Sequence, residues 1–489
     1  MDIDTPRVRR LPLWMGLAAF LLYIATGART IQWQDSAQFT YRIATQNPDN
    51  IYGLAMVHPL HYMLGRAAAI LFPSNLPWAL SGVSALGGAV AVGLTTACAR
   101  MLQPRGPTAL FTGITLMLAH TFWRFSCLPE VYTLSAALMM AQVTLLIWSR
   151  QRKRPIPWAG ILALNGVAFA NHNLALLTLA VWGGGFLLMA RTSPQMWRLL
   201  PRMAVAWIMG SLPYTMMIVQ EAVHSGDLMA TIHSALFGHG FREEVSTLFP
   251  RPAFTAISLA FMFLSFPGLS LPLAVRSWRR RQTTGVSLPG MVYALAAVQL
   301  GFFLRYDVID QYTFLVPVFP LLALMAGCGF ATLTRRGSIR TAWVFLALQI
   351  PLYAISPWMA ETSGVLKPFA RNKPFRNDAQ YLLWPWRSQD RSAHQLAEAA
   401  LHAALPDGTI VMADPMATHT LQWMRREMGL EADIRLLRPQ DHEAMLVSLQ
   451  KPSLLVWAPS RSTDPAPPGW REENGVWIAE TGAKPPSTP

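Results

Sequence analysis

Charge is what this chain most conspicuously lacks. Only 13% of its 489 residues are Asp, Glu, Lys or Arg, about half the share of an ordinary soluble domain. That shortage excludes a soluble enzyme of the usual kind, and it also excludes a charge-rich disordered chain. Cysteine is scarce as well. Cys98, Cys127 and Cys328 are the only three, and they stand far apart within or beside apolar runs, with neither metal-ligand spacing nor a disulfide framework. They read as small apolar fillers. Glycine follows no period and no low-complexity tract occurs, so a fibrous protein is excluded too.

What the chain has instead is apolar bulk: 52% hydrophobic residues, among them 18 Trp and 23 Phe. This is the composition of a polytopic membrane protein. The net charge of +14 would suit nucleic acid only if the basic residues shared one water-facing surface. They are scattered between apolar stretches, so no nucleic-acid partner is expected. Residues 1–358 hold 26 Lys and Arg against 11 Asp and Glu, whereas residues 359–489 hold 14 against 15.

A window near 20 residues crosses roughly 30 Å of hydrocarbon. Such windows pick out eleven spans, at 11–27, 78–99, 108–126, 131–149, 157–170, 174–190, 200–219, 253–275, 288–304, 312–332 and 341–358. The first follows Arg7, Arg9 and Arg10 with no convincing cleavage site, and is expected to stay as an uncleaved span. With the N-terminus cytoplasmic, the inner loops carry 19 basic residues and the outer side 7. That asymmetry sets orientation. Apart from Asp2 and Asp4, all nine acids before residue 359 fall on the outer side, which agrees. The expected organisation is an α-helical transmembrane domain over 1–358, with a first outer loop at 28–77. An extracytoplasmic α/β domain over 359–460 and a loose tail over 461–489 follow. TIVMA (409–413), DIRLL (433–437) and LLVWA (454–458) read as its strands, and no Gly-rich phosphate loop follows any of them.

Chemistry is expected on the outer face. The first outer loop is too long to be a plain connector, and Asp35 stands in it about eight residues past the first span, where it can act as a general base or help start a short interfacial helix. His58 and His61 suit phosphate or metal binding, or simple hydrogen bonding. Glu130 and Tyr132 open the fourth span, His172 lies in Asn171-His172-Asn173 between two spans, and Arg305, Asp307 and Asp310 flank the tenth. Ionisable groups at membrane depth tend to pair or to mark a site. His58, Glu130, His172 and Asp310 are therefore expected to line one outward cavity with Asp35, with local capping and an Asp310–Arg305 ion pair as the alternative. The basic inner loops are explained by topology and anionic lipid.

WQDSAQF, HPLHYMLG, SGVSALGGAVAV, FWRFSCLPEVYTL, GVAFANHN and YDVIDQYTFLVPVFPLLALMAGCG occur in the order found in a bacterial membrane family related to the eukaryotic transmembrane O-mannosyltransferases. The chain resembles that family, of the GT-C glycosyltransferase superfamily, over about residues 10–335, and more weakly in LPDGTIVMADPMATHTLQWMRREMGLEADIRLL. The resemblance implies a bacterial plasma-membrane enzyme that moves a sugar from a polyprenyl-phosphate donor to an acceptor on the outer face. It also implies that Asp35 is the essential acid of the first outer loop. Two departures stand out. DSAQ replaces the DSGE of many relatives, so Gln38 takes the place of a second carboxylate and removes the acid pair that would hold a divalent metal, whose presence stays open. HPLHYML replaces HPPGYPL, which removes a Pro-Gly turn. A transporter or lipid flippase is the competing class, disfavoured by the lack of an internal repeat and of ionisable residues at span centres. A non-enzymatic membrane scaffold displaying the C-terminal domain is a third reading.

Overall fold

A computed structural model describes residues 10–104, 106–239, 242–247, 250–279, 288–308, 310–367, 373–404, 409–412, 415–437, 455–458 and 469–479. The chain packs into two compact units. One comprises residues 1–27, 48–71 and 81–352, and the other 28–47, 72–80 and 353–489. The first half of the outer loop, expected with the spans, thus packs with the C-terminal residues.

The first unit is a helical bundle. Among the described residues, five helical stretches, Leu76–Leu102, Tyr132–Gln151, Ala175–Thr192, Pro194–Ser225 and Gln311–Phe330, are long and apolar enough to cross a membrane. Two bent pairs, Pro252–Ser265 with Ser270–Arg279 and Arg336–Ala347 with Gln349–Ser363, would bring the number to seven. The other four expected spans coincide with shorter apolar helices, Leu11–Thr26, Thr108–Met117, Trp158–Asn171 and Gly290–Arg305. Gln311–Phe330 is buried over all but Tyr312, so the bundle is built around it. Many large apolar side chains of Leu200–Ser225 are exposed, among them Val205, Met209 and Val219, as suits a helix whose solvent is lipid.

Three expected spans are broken, among them 341–358, which bends by 50° between Ala347 and Gln349. The stretch 253–275 bends by 93° at Phe266-Pro267-Gly268, where proline removes a backbone donor and Gly268 takes φ +72°, a left-handed conformation suited to glycine. The stretch 108–126 divides into Thr108–Met117 and His120–Ser126 with no breaker residue between them. There the new helix start is supported from elsewhere: the Thr121 N–H donates to Ser265 Oγ at 3.1 Å, and Ser265 Oγ donates to Thr121 Oγ1 at 3.1 Å. A tertiary bond replaces the helical one.

Close backbone approach decides one pairing. A Cβ on Gly166 would collide with the Trp207 carbonyl oxygen, and one on Gly210 with that of Ala163, so Trp158–Asn171 and Leu200–Ser225 touch through their main chains. Small residues allow this in membranes. Gly166→Val or Gly210→Val is expected to cost at least the ~1–3 kcal/mol of overpacking and to lower the yield of folded protein. Gly183→Ala, at a position with open space around it, should leave that yield unchanged. Comparing detergent-stable protein by size-exclusion chromatography checks both.

The second unit contains a five-stranded sheet in the order β2-β1-β3-β5-β4, with β1 Thr409–Met412, β2 Arg435–Leu437, β3 Leu455–Ala458, β4 Trp470–Glu473 and β5 Val476–Ala479. β1 lies parallel to β2 and β3, and Ile410 is opposite both Leu436 and Val456. β5 runs antiparallel to β3 and β4. The hairpin β4–β5 falls inside the stretch expected to be loose; the remainder of 461–489 lies outside the described residues. Helices Ser392–Ala403 and Pro415–Glu427 supply Leu396, Leu401, Leu421 and Met424 to a core that Ile410, Val456 and Ile478 enter from the sheet. Ile31, Trp33 and Ala37 of the outer loop belong to that same core.

Candidate functional site

Asp35 belongs to the second unit and is the first residue of the helix Asp35–Ala44. The N-cap position is Gln34, with φ 57° and ψ −132° and no side-chain cap bond, so Asp35 stands one residue inside the expected capping position. An acid in a first helical turn is stabilised in its charged form by the helix dipole. Asp35 is half-buried, while Ser36, Ala37, Gln38, Phe39 and Thr40 behind it are buried. The residues before it are held by side chains from the C-terminal region. The Trp33 indole Nε1 donates to Ser392 Oγ at 2.9 Å, and Thr420 Oγ1 donates to the Gln32 carbonyl at 3.1 Å.

Cations surround this junction. Lys373 Nζ and Arg376 Cζ lie 5.6 and 5.7 Å from the centre of the Trp33 ring, close enough for cation–π attraction. Arg376 pairs with Asp378 at 2.6 Å, and the buried Arg387 pairs with Asp390 at 3.3 Å. None of these was singled out from the sequence. Trp33, Ala37, Tyr41 and Ala44 recur on one face of the loop and call for a partner surface, but that spacing does not name the residues that supply it.

Against the same loop helix, His419 lies 6.1 Å from the Tyr41 ring. Burial, and secondarily the charge of Arg42, push its imidazole down to about 4, so His419 is neutral in the folded protein at pH 7. Its ordinary value is near 6.5. Between the two values the unfolded chain binds the extra proton, and folding is therefore favoured above about pH 6.5 and loses stability as pH falls toward 4. The loss is on the order of 3 kcal/mol. A His419→Asn protein should show a flatter dependence of melting temperature on pH between 6.5 and 4 than the wild type.

The first unit holds the other expected residues and brings three of them into ring contact. His58 takes φ +51°, an uncommon conformation outside glycine, and is buried with its Nδ1 2.9 Å from the Asn171 carbonyl. The imidazole stacks on His172, with centroids 4.9 Å apart. Tyr132 meets His172 at 5.6 Å and Phe314 edge-on at 5.6 Å. His172 Nδ1 accepts the Leu174 N–H at 3.1 Å, which places the proton of a neutral ring on Nε2. Asn171 braces the cluster by donating to the Val131 carbonyl at 2.9 Å and to Ser135 Oγ at 2.8 Å. The structure thus joins HPLHYMLG, PEVYTL and FANHN around one group of rings.

The remaining expected residues differ in setting. Glu130 is buried; its backbone N–H donates to Ser84 Oγ, and that hydroxyl donates to the Glu130 carbonyl, each at 2.9 Å. His61 is buried in the first turn of Pro59–Leu71. Arg305, exposed at the end of its helix, donates to the Thr247 carbonyl at 3.3 Å. Asp310 is the N-cap residue of the 3₁₀ stretch Gln311–Val318 without a side-chain cap bond. Asp307, expected beside Arg305, pairs with Arg251 at 3.1 Å. His120 and Arg124, buried in His120–Ser126, escaped notice in the sequence, although ionisable residues in an apolar stretch are a functional signal. Among the described residues, no three His, Cys, Asp or Glu side chains converge as metal ligands would.

No family model matches the sequence, and no curated protein does. Solved structures do match. The crystal structure of ArnT from Cupriavidus metallidurans bound to undecaprenyl phosphate aligns with a TM-score of 0.62 at 15% identity, over 96% of this chain and 97% of that one. The apo structure of the same protein gives 0.63 at 14% identity with the same coverage. The archaeal oligosaccharyltransferase AglB from Archaeoglobus fulgidus, in complex with an inhibitory peptide and a dolichol-phosphate, aligns at 0.48 and 12% identity over 93% of this chain and 70% of that one. Over nearly its whole length the chain shares the fold of ArnT.

Proposed function

We propose that this protein is a membrane glycosyltransferase that takes a sugar from a polyprenyl-phosphate-linked donor and moves it to an acceptor hydroxyl on the outer membrane face. The observation that carries this reading is the fit to ArnT over 96% of the chain, in a structure of that protein bound to undecaprenyl phosphate. Asp35 is the general base. It removes the acceptor's hydroxyl proton while the acceptor oxygen attacks the anomeric carbon in line. The bond from that carbon to the phosphate oxygen breaks, the polyprenyl phosphate leaves with the electron pair, and the configuration inverts. His58 and Arg305 are candidates for offsetting the charge that grows on the phosphate, and Glu130, Tyr132, His61, His172 and Asp310 are candidates for holding the donor. Sugar and acceptor are left open.

The same reading has eleven crossings, an inside N-terminus and an outside C-terminal region, because the basic and acidic residues partition to opposite faces. Reporter fusions after Arg154, Arg281 and Arg336 should read cytoplasmic and one after Asp378 external; a cytoplasmic signal from the last would contradict it. The donor class has its own test. Purified protein mixed with undecaprenyl phosphate should retain the lipid in native mass spectrometry in preference to a diacyl phosphatidic acid of similar mass. Equal retention of both would remove the polyprenyl-phosphate reading.

A further inference from the structure

The segment just before Asp35 has no regular structure, yet it is among the most heavily bonded in the second unit. Thr30 Oγ1 and Gln32 Nε2 both donate to the Asp390 carbonyl at 3.1 Å. Trp33 Nε1 donates to Ser392 Oγ, and Ser392 Oγ donates to Asp390 Oδ1 at 2.7 Å. Asp390 Oδ1 also accepts the Ser392 N–H at 3.1 Å, while Arg387 holds the other carboxylate oxygen at 3.3 Å. From the helix Pro415–Glu427, Thr420 Oγ1 donates to the Gln32 carbonyl at 3.1 Å. Gln32, Trp33, Ser392 and Thr420 are all more than nine-tenths buried, so water cannot replace a lost partner and each bond is costly to break.

The next residue is Gln34, held at φ 57°. A non-glycine residue persists in such a conformation only where its surroundings over-determine it. Its carbonyl accepts the N–H groups of Ala37 and Gln38 at 3.0 and 3.1 Å, and so carries the first turn of the helix that Asp35 opens. Relaxing Gln34 would re-aim that turn. The helix itself would still be retained through Ala37 in the core, which separates aim from folding.

We propose that Ser392 and Thr420 are positioning residues for Asp35, one holding the Trp33 indole and the other the Gln32 carbonyl, so that Gln34 keeps its conformation and the carboxylate its place. The proposal rests on the reading of Asp35 as the base. It gives the C-terminal region a part in catalysis through two hydroxyls, neither of which needs to touch a substrate.

The test uses the full chain, returned to cells that lack it and also purified in detergent, with Ser392→Ala, Thr420→Val and their combination beside the conservative Ser392→Thr and Thr420→Ser. Hydrogen exchange over residues 30–44 should speed up at least about tenfold in the combined variant, with the protein still folded and its melting temperature lowered only by the lost buried bonds. The glycan product that disappears without the protein should fall about tenfold to a hundredfold at matched abundance, and the variants that keep a hydroxyl should restore it. Unchanged exchange overturns the proposal whatever the activity. Faster exchange with wild-type product yield also overturns it, since the tie would then be structural only. If the wild-type protein itself restores no glycan, the transferase reading fails and the positioning role falls with it, whatever the exchange data show.

Discussion

Replacing Asp35 by asparagine is expected to abolish sugar transfer and leave the amount of folded protein unchanged. The carboxylate stands in the first turn of its helix and is half-exposed, so an amide of the same shape keeps the packing behind it. The negative charge and the proton acceptance are lost. General base catalysis alone contributes about 10²–10⁴-fold, and a misaligned or unactivated acceptor adds to that loss. Asp35→Glu, which keeps the charge but displaces it by one methylene, should retain a small residual rate. Product per unit of folded protein checks both. Full activity in Asp35→Asn would return this residue to a purely local role at the helix start, and a fall in abundance equal to the fall in product would do the same.

The second large effect concerns the core that the outer loop shares with the C-terminal residues. Leu421 is fully buried among Trp33, Ala37, Leu401 and Ile410 in one cluster. Leu421→Asp places an unpaired carboxylate there, at a cost of several kcal/mol, which is a large share of the stability of any domain. The second unit should lose its fold and transfer should vanish with it. The helices of the first unit carry their own buried core, so reporter fusions after Arg154 and Arg336 should read as in the wild type. Leu421→Met, conserving volume, should be nearly neutral. Protease sensitivity of the region around residues 392–427, compared with that of the spans, separates the two units.

Much of the architecture was legible in the sequence because membrane solvent imposes a simple rule. A backbone in hydrocarbon must satisfy itself, so apolar windows of the right length become helices, and each of the eleven windows coincides with one or two helices. What could not be read was where tertiary bonds break a helix. The bend at Pro267-Gly268 had a local signal that a continuous apolar window hides. The break before His120 had none, since the Ser265 hydroxyl that supports it lies 144 residues away.

The candidate site was legible in part for the same reason. His58, Tyr132 and His172 sit in motifs that place polar groups at helix ends, and these do come together. The residues behind Asp35 were invisible because the outer loop borrows its core from a region more than 350 residues later in the chain, and periodicity within either segment cannot name its partner. The buried cations Lys373 and Arg387 carry no local signal for the same reason. The hairpin over 470–479 was missed because the Pro-rich composition around it masks two strands of four residues each.

The central claim is that this chain moves a sugar from a polyprenyl-phosphate donor, and it is tested most directly by comparing membrane lipids and surface glycans of cells with and without the protein by mass spectrometry. The account predicts that loss of the protein makes a polyprenyl-phosphate-linked sugar accumulate and one glycan residue disappear, both reversed by the wild-type chain and neither by Asp35→Asn. Identical lipid and glycan profiles in the two cell types would contradict it.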